Sequence, residues 1–302
     1  MDAAHSSLTP TAANGVPLCV GSYALVVREL DRLTDFYAGA LGLAVLERAA
    51  DAVRLGIEGA TLLELQRRPD AQPDDPATAG LFHTAFLMPT RKDLAEWYLH
   101  SQRIGLTITR TGDHLVNEAI YFEDPEGNGC ECYADRAPET WEWDEAGHVN
   151  IDTGKPVDLA SLNRESTRGR ADWKPPAGLG IGHINLRVGD YAAAETFYCD
   201  VIGFDHTGRR HIEFGGRLST ITFMSSGRYH HHLAVNDFTS RGAGRRDPAR
   251  SGLGWLALRC DASVDIEALQ RRLRSAGMPV TRTAAGIETE DPWGTTVRVA
   301  AD

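Results

Sequence analysis

The stretch GSYALVVRELDRLTDFYAGALGL, beginning at Gly21, returns without a gap as GHINLRVGDYAAAETFYCDVIGF at Gly182, an offset of 161 residues. Internal repetition restricts a fold strongly, because each copy must adopt the same supersecondary unit and bury its apolar face against its siblings. Each copy is a short β-rich run followed by an amphipathic helix that ends at glycine. Leu30, Leu33, Phe36, Tyr37 and Leu41 share one helical stripe in the first; Tyr191, Ala194, Phe197, Tyr198 and Val201 do so in the second. A second repeat relates DLAEWYLHSQRIGLTITRT from Asp93 to DIEALQRRLRSAGMPVTRT from Asp265, at an offset of 172. Its ends correspond as well, DPEGNGCEC from Asp124 against DPWGTTVRV from Asp291, now at 167, so five residues are missing inside the later copy. The reading is four modules, about 20–70, 80–135, 180–229 and 230–300, each a strand, a helix and two or three further strands. Between the second and third lies a polar connector with Trp141, Trp143, Trp173 and Pro175-Pro176. A segment of that length in a compact protein is a linker or a lid.

A chain of 302 residues exceeds one ordinary core and suits two domains. The division expected is 1–18 as a disordered lead-in, 19–135 as a first domain of modules one and two, 136–179 as the connector, and 180–302 as a second domain of modules three and four. A net charge of −11 argues against nucleic acid, whose phosphates need a basic face. No apolar run approaches the roughly 20 residues of a membrane span. The N-terminus lacks the basic-then-apolar order of a secretory signal. Cys19, Cys130, Cys132, Cys199 and Cys260 are scattered and odd in number, which fits reduced thiols in the cytoplasm better than a disulfide framework.

The stretch from Tyr121 to Tyr133 reads as strand, tight turn, strand. Asp124-Pro125-Glu126-Gly127-Asn128 is turn chemistry. In the strand that follows, alternation puts Cys130 and Cys132 on the helix side and Glu131 on the other. A carboxylate there is a solvated residue or a ligand.

A strand–helix–three-strand unit four times over, with DPxG turns before the last strand, resembles the vicinal oxygen chelate superfamily (glyoxalase, bleomycin resistance protein, dioxygenase). Within it the chain is similar to the two-domain extradiol catechol 2,3-dioxygenases carrying Tyr-His-His-His, here Tyr229 to His232. The resemblance implies an α+β fold of four βαβββ modules forming two paired-module half-barrel sites. It also implies a metal held from first strands and one last strand. Carried over by position, the first-strand ligands are Ser22, His83, His183 and His232, and the last-strand carboxylate is Glu131 in module two against Arg298 in module four. Two histidines and one carboxylate are the ligand set of non-haem Fe(II), with Mn(II) as the alternative ion. Only modules two and three supply that set whole, as His83, His183 and Glu131. Modules two and three are therefore expected to pair, and one with four.

The same resemblance assigns catalytic positions to Tyr121, ten residues before Glu131, and to His114, seven before Tyr121. It puts a further histidine near the end of module three, His230 or His231; alternation leaves open which faces inward. His232 reads as structural, and the arginine-rich Thr239 to Gly252 as a solvated insertion. The implied reaction inserts both atoms of O₂ into a catechol-type substrate. Tyr121 would hold the substrate oxygen, His114 assist its deprotonation, and His230 or His231 deliver a proton. The expected partners are that catechol and O₂, with no nucleic acid or membrane, in a homo-oligomer. Rival readings on the same fold are a glyoxalase-like isomerase or transferase and a non-enzymatic binder of aromatic compounds.

Overall fold

The computed structural model describes residue 11 and residues 13–152, 154–167 and 173–301. Residues 1–10 and 12 of the expected lead-in lie outside the described residues. Module one runs β1 (Leu18–Val27), α1 (Leu30–Leu41), β2 (Ala44–Arg48), β3 (Ala52–Ile57) and β4 (Ala60–Arg67). Module two runs β5 (Gly80–Leu87), α2 (Arg91–Arg103), β6 (Ile108–Asp113), β7 (Asn117–Glu123) and β8 (Gly129–Asp135). Among its described residues the connector holds a 3₁₀ turn (Pro138–Thr140) and a short helix, α3 (Leu159–Glu165). Module three is β9 (Gly180–Arg187), α4 (Tyr191–Glu195) prolonged by a π-helical stretch (Thr196–Ile202), β10 (Asp205–Phe214), β11 (Arg217–Ser225) and β12 (Leu233–Asn236). Module four is β13 (Gly252–Cys260), α5 (Ile266–Ser275), β14 (Val280–Arg282), β15 (Gly286–Glu290) and β16 (Thr296–Ala301). Among the described residues no helix is long and apolar enough to cross a membrane.

One boundary differs from the sequence reading. The run HHLAVN does not open module four: β12 closes module three, parallel to β9 with Ala234 opposite Asn185. First and last strands of a module are both central, apolar and parallel to one another, so a short apolar run fits either place. What marks a first strand is the helix after it. The residues after β12 form the arginine-rich loop, whereas β13 leads into α5, which Asp265 caps by accepting from the Ala268 N–H. The arginine-rich loop is thus the link between modules three and four. By register the module-four counterpart of His83 is Trp255, not His232: Ala85 faces Glu131 as Ala257 faces Arg298, and each named residue lies two positions earlier.

The sixteen strands form two eight-stranded sheets, one from modules one and four, the other from two and three. In each, the two first strands meet antiparallel at the centre, β1 with β13 and β5 with β9. The helical layer joins modules the other way. Tyr37 of α1 donates to Asp124 Oδ2 in the turn of module two at 2.9 Å, and Tyr198 donates to Asp291 Oδ2 in module four at 3.1 Å. Asp124 Oδ1 accepts from the N–H groups of Glu126 and Asn128, and Asp291 Oδ1 from those of Trp293 and Thr295. The repeated DPxG turn is therefore a buried carboxylate wrapped in its own backbone, with Gly127 and Gly294 at positive φ. Tyr37→Phe removes one donor from a buried carboxylate and should lower unfolding free energy by about 1–3 kcal/mol, read as a lower urea midpoint at unchanged slope.

The connector packs onto the sheet of modules two and three. Lys155 O accepts from Asp113 N of β6, and Val149 N donates to Thr207 O of β10. Since β6 and β10 are the two edges of the two–three sheet, the connector bridges those edges and closes the half-barrel. Ile151 faces the enclosed space.

Candidate metal centre and its cavity

Strand alternation decides what enters the half-barrel of modules two and three. On β5 and β9, His83 and His183 sit on the concave face with Asn185, which pairs with His83 across the antiparallel junction. On β8 the same face carries Glu131, Tyr133 and Asp135, while Cys130 and Cys132 are buried toward the helices as expected. Glu131 Oε2 lies 3.1 Å from His83 Nε2 and 3.4 Å from His183 Nε2. One donor atom from each of these three residues lies within 4.8 Å of the others, and all three residues are buried.

Glu131 is 1% exposed, yet neither carboxylate oxygen accepts a hydrogen bond. A buried charge without hydrogen bonds is costly unless something compensates it. Burial pushes the Glu131 carboxyl up, but the His183 and His83 imidazoles outweigh it and hold it well below the usual range. Burial lowers His83, and the opposing pull of Glu131 does not restore it. An ionised carboxylate beside a neutral imidazole is the protonation state that ligation requires. Two nitrogens and one oxygen, convergent and buried, fit a divalent first-row ion.

The cavity in front of these groups has the predominantly apolar lining of a small-molecule site. Phe82, Phe223, Phe238, Ile151, Ile212 and Ile221 form its apolar wall. Tyr121 stands directly across from Glu131 in register. His114 Nδ1 donates to Asp152 O at 2.6 Å, which leaves Nε2 to accept from Tyr121 OH at 2.8 Å. Burial first, then Glu131, raises the Tyr121 phenol well above its ordinary value, so it remains a donor. Burial lowers His114.

The two candidate histidines of module three part company. His231 lines the cavity, its ring 4.1 Å from that of His183. His230 does not line it; it stands behind, with Nε2 2.8 Å from Asp135 Oδ1 and Nδ1 2.7 Å from His231 Nδ1. His232 lies outside the cavity. Its Nδ1 accepts from Ser225 Oγ and Ser226 N, and Nε2 donates to Ala13 O. Burial lowers it from 6.5 to about 3 against the pull of that carbonyl. An unfolded chain takes up this proton below pH 6.5 and the folded one does not, so stability falls as pH drops from 6.5 toward 3. The loss is roughly 2 kcal/mol by pH 5. His232→Gln should flatten that part of the urea-midpoint profile between pH 6.5 and 5.

The sheet of modules one and four offers no counterpart. Its equivalent positions are Ser22, Glu64, Trp255 and Arg298. Glu64 binds Arg54 and Gln66, while Arg298 binds Glu288 and covers the Trp255 ring at 4.3 Å. Sequence reading missed Arg110, Asn185 and Asp135. Arg110 faces Tyr121 in register and lies over its ring at 4.1 Å. Alternation carried two residues on from His183, and four on from Glu131, would have found Asn185 and Asp135.

A sequence model of the Glyoxalase/Bleomycin resistance protein/Dioxygenase superfamily matches residues 20–132 and 180–299. A catechol-2,3-dioxygenase of Bacillus subtilis (strain 168) is 34% identical over 276 residues, spanning 90% of this chain and 93% of its own. A biphenyl-2,3-diol 1,2-dioxygenase (enzyme 3) of Rhodococcus globerulus is 42% identical over 60 residues, 20% of this chain and 32% of its own. Glyoxalase I from Zea mays superposes with a TM-score of 0.57 at 16% identity, covering 94% of this chain and 92% of the maize protein; that likeness concerns fold alone.

Proposed function

The chain belongs to the Glyoxalase/Bleomycin resistance protein/Dioxygenase superfamily, and on that premise we propose that it is an extradiol ring-cleaving dioxygenase acting on a catechol-type aromatic, with Fe(II) held by His83, His183 and Glu131. The observation that carries this reading is the buried, hydrogen-bond-free Glu131 facing two imidazoles at the floor of an aromatic cavity. A ferrous ion there supplies the redox and Lewis-acid chemistry that lets O₂ react with a closed-shell ring. The protein's own part is placement and proton handling. Phe82, Phe223 and Phe238, with the three isoleucines, hold the ring and exclude water. Tyr121 presents its hydroxyl to a substrate oxygen. His114 Nε2, already accepting from that hydroxyl, takes up the proton the catechol loses. His231, on the His183 side, serves the oxygen end of the reaction by accepting and returning a proton.

A glyoxalase-like isomerase would want a fourth protein ligand, and the cluster has three members among the described residues. The test is anaerobic loading with Fe(II), removal of excess ion, then air-saturated buffer and catechol. The expected result is uptake of one O₂ per catechol with a yellow semialdehyde product. Tight catechol binding without O₂ uptake by the loaded protein would instead favour the non-enzymatic binder. Loading with Mn(II) in a parallel sample decides between the two ions.

A further inference from the structure

The row Asp135–His230–His231 runs from the partly exposed end of β8 through a fully buried imidazole to the cavity. Asp135 Oδ2 accepts from Tyr229 OH at 2.9 Å, and Tyr229 OH is 2.7 Å from Tyr133 OH, so the carboxylate is held in place from its far side. A carboxylate only accepts, so His230 must carry its proton on Nε2. The Nδ1 atoms of His230 and His231 are 2.7 Å apart, and a single hydrogen lies between them. His230 is fully buried against the rings of Tyr229 and Trp141, a setting that disfavours an imidazolium; with its single N–H on Nε2, its Nδ1 is the acceptor and His231 Nδ1 the donor. His231 Nε2 is left with a lone pair on the cavity side.

We infer that Asp135 and His230 are positioning residues that fix His231 in its Nδ1–H tautomer, so that His231 enters the reaction as a proton acceptor at Nε2. The inference rests on the dioxygenase reading for its kinetic consequence, while the tautomer itself stands independently of it. No bond to substrate is made by either positioning residue. When Nε2 takes a proton, Nδ1–H remains bonded to His230, and the ring orientation is kept through the cycle. His230→Leu removes the acceptor. Asp135→Asn keeps the shape but offers a donor as readily as an acceptor, so the direction of the row is no longer set.

The experiment uses the full-length protein labelled with ring-¹⁵N histidine and loaded with Zn(II), a closed-shell ion suited to NMR. Long-range ¹H–¹⁵N correlation reports which nitrogen bears the proton, and the His231 signals are identified by their loss in His231→Gln. In the unsubstituted protein His231 should carry hydrogen on Nδ1 alone; in His230→Leu and Asp135→Asn both tautomers should be present. With Fe(II), kcat of both variants should fall roughly ten- to a hundredfold, below the 10²–10⁴ that general acid–base catalysis is worth. KM should stay within about threefold. Hydrogen on His231 Nε2 in the unsubstituted protein overturns the inference, as does an unchanged tautomer and kcat in both variants. Should His230→Leu fail to fold, Asp135→Asn alone carries the same comparison. An Nδ1–H His231 in a protein that takes up no O₂ would sink the dioxygenase reading and leave the tautomer lock standing.

Discussion

Glu131→Gln is expected to abolish tight iron binding and lower turnover by about 10³-fold or more, equivalent to about 4 kcal/mol. The substitution is nearly isosteric, and Glu131 sits centrally on β8, between Tyr121 on one side and Ala85 on the other. It therefore tests charge rather than packing. A neutral amide neither balances a divalent ion nor matches two imidazoles as a ligand. A second readout separates binding from chemistry. Saturating metal at about a hundred times its dissociation constant should stabilise the unsubstituted protein by about 2.7 kcal/mol. The variant should show no such shift. His83→Ala and His183→Ala should share the loss of iron, while His232→Ala keeps it. An iron-free, inactive His232→Ala that still folds would move the centre away from the cluster of His83, His183 and Glu131.

The convergence of His83, His183 and Glu131 was legible before any coordinates because repetition supplied a register. His83 and His183 occupy the same place in two copies, and Glu131 is the carboxylate where module four has Arg298. The modular order followed from the repeats and the pairing of two with three from that count of ligands, and the sheets pair two with three and one with four. Where the copies diverge, the reading slipped. The four residues of β12 carry no period that tells a last strand from a first, so module four was begun too early and His232 was given a ligand position that Trp255 occupies. The choice between His230 and His231 depends on how the chain turns between β11 and β12, with Arg228 at positive φ, and alternation says nothing about residues outside a strand. The connector's role as a wall was hidden for another reason. It is anchored to two sheet edges at opposite ends of the strand order largely through its own backbone groups, which its sequence does not mark.

His231→Asn should lower kcat by roughly 10²–10⁴ while leaving iron content unchanged and KM within about threefold. The reason lies in how proton-handling groups are distributed about the three ligands. Tyr121 and His114 stand on the side of His83, whose ring is 5.5 Å from that of Tyr121. His231 stands on the other side, packed between His183 at 4.1 Å and Phe223 at 5.0 Å. Tyr121 and His231 thus flank the cavity beside different members of the cluster, Tyr121 by His83 and His231 by His183. Tyr121→Phe should then act on the substrate, raising KM and slowing its deprotonation, because the hydroxyl that links substrate to His114 is gone. His231→Asn should act after substrate is bound, when a proton must be taken up and returned at the oxygen end. Pre-steady-state mixing of the loaded enzyme with catechol under nitrogen, followed by O₂, separates the two stages. Tyr121→Phe should slow the first mixing and His231→Asn the second. A His231→Asn protein that loses iron, or that binds catechol slowly and then reacts with O₂ at the parent rate, would assign this histidine to the floor of the cavity rather than to the chemistry above it.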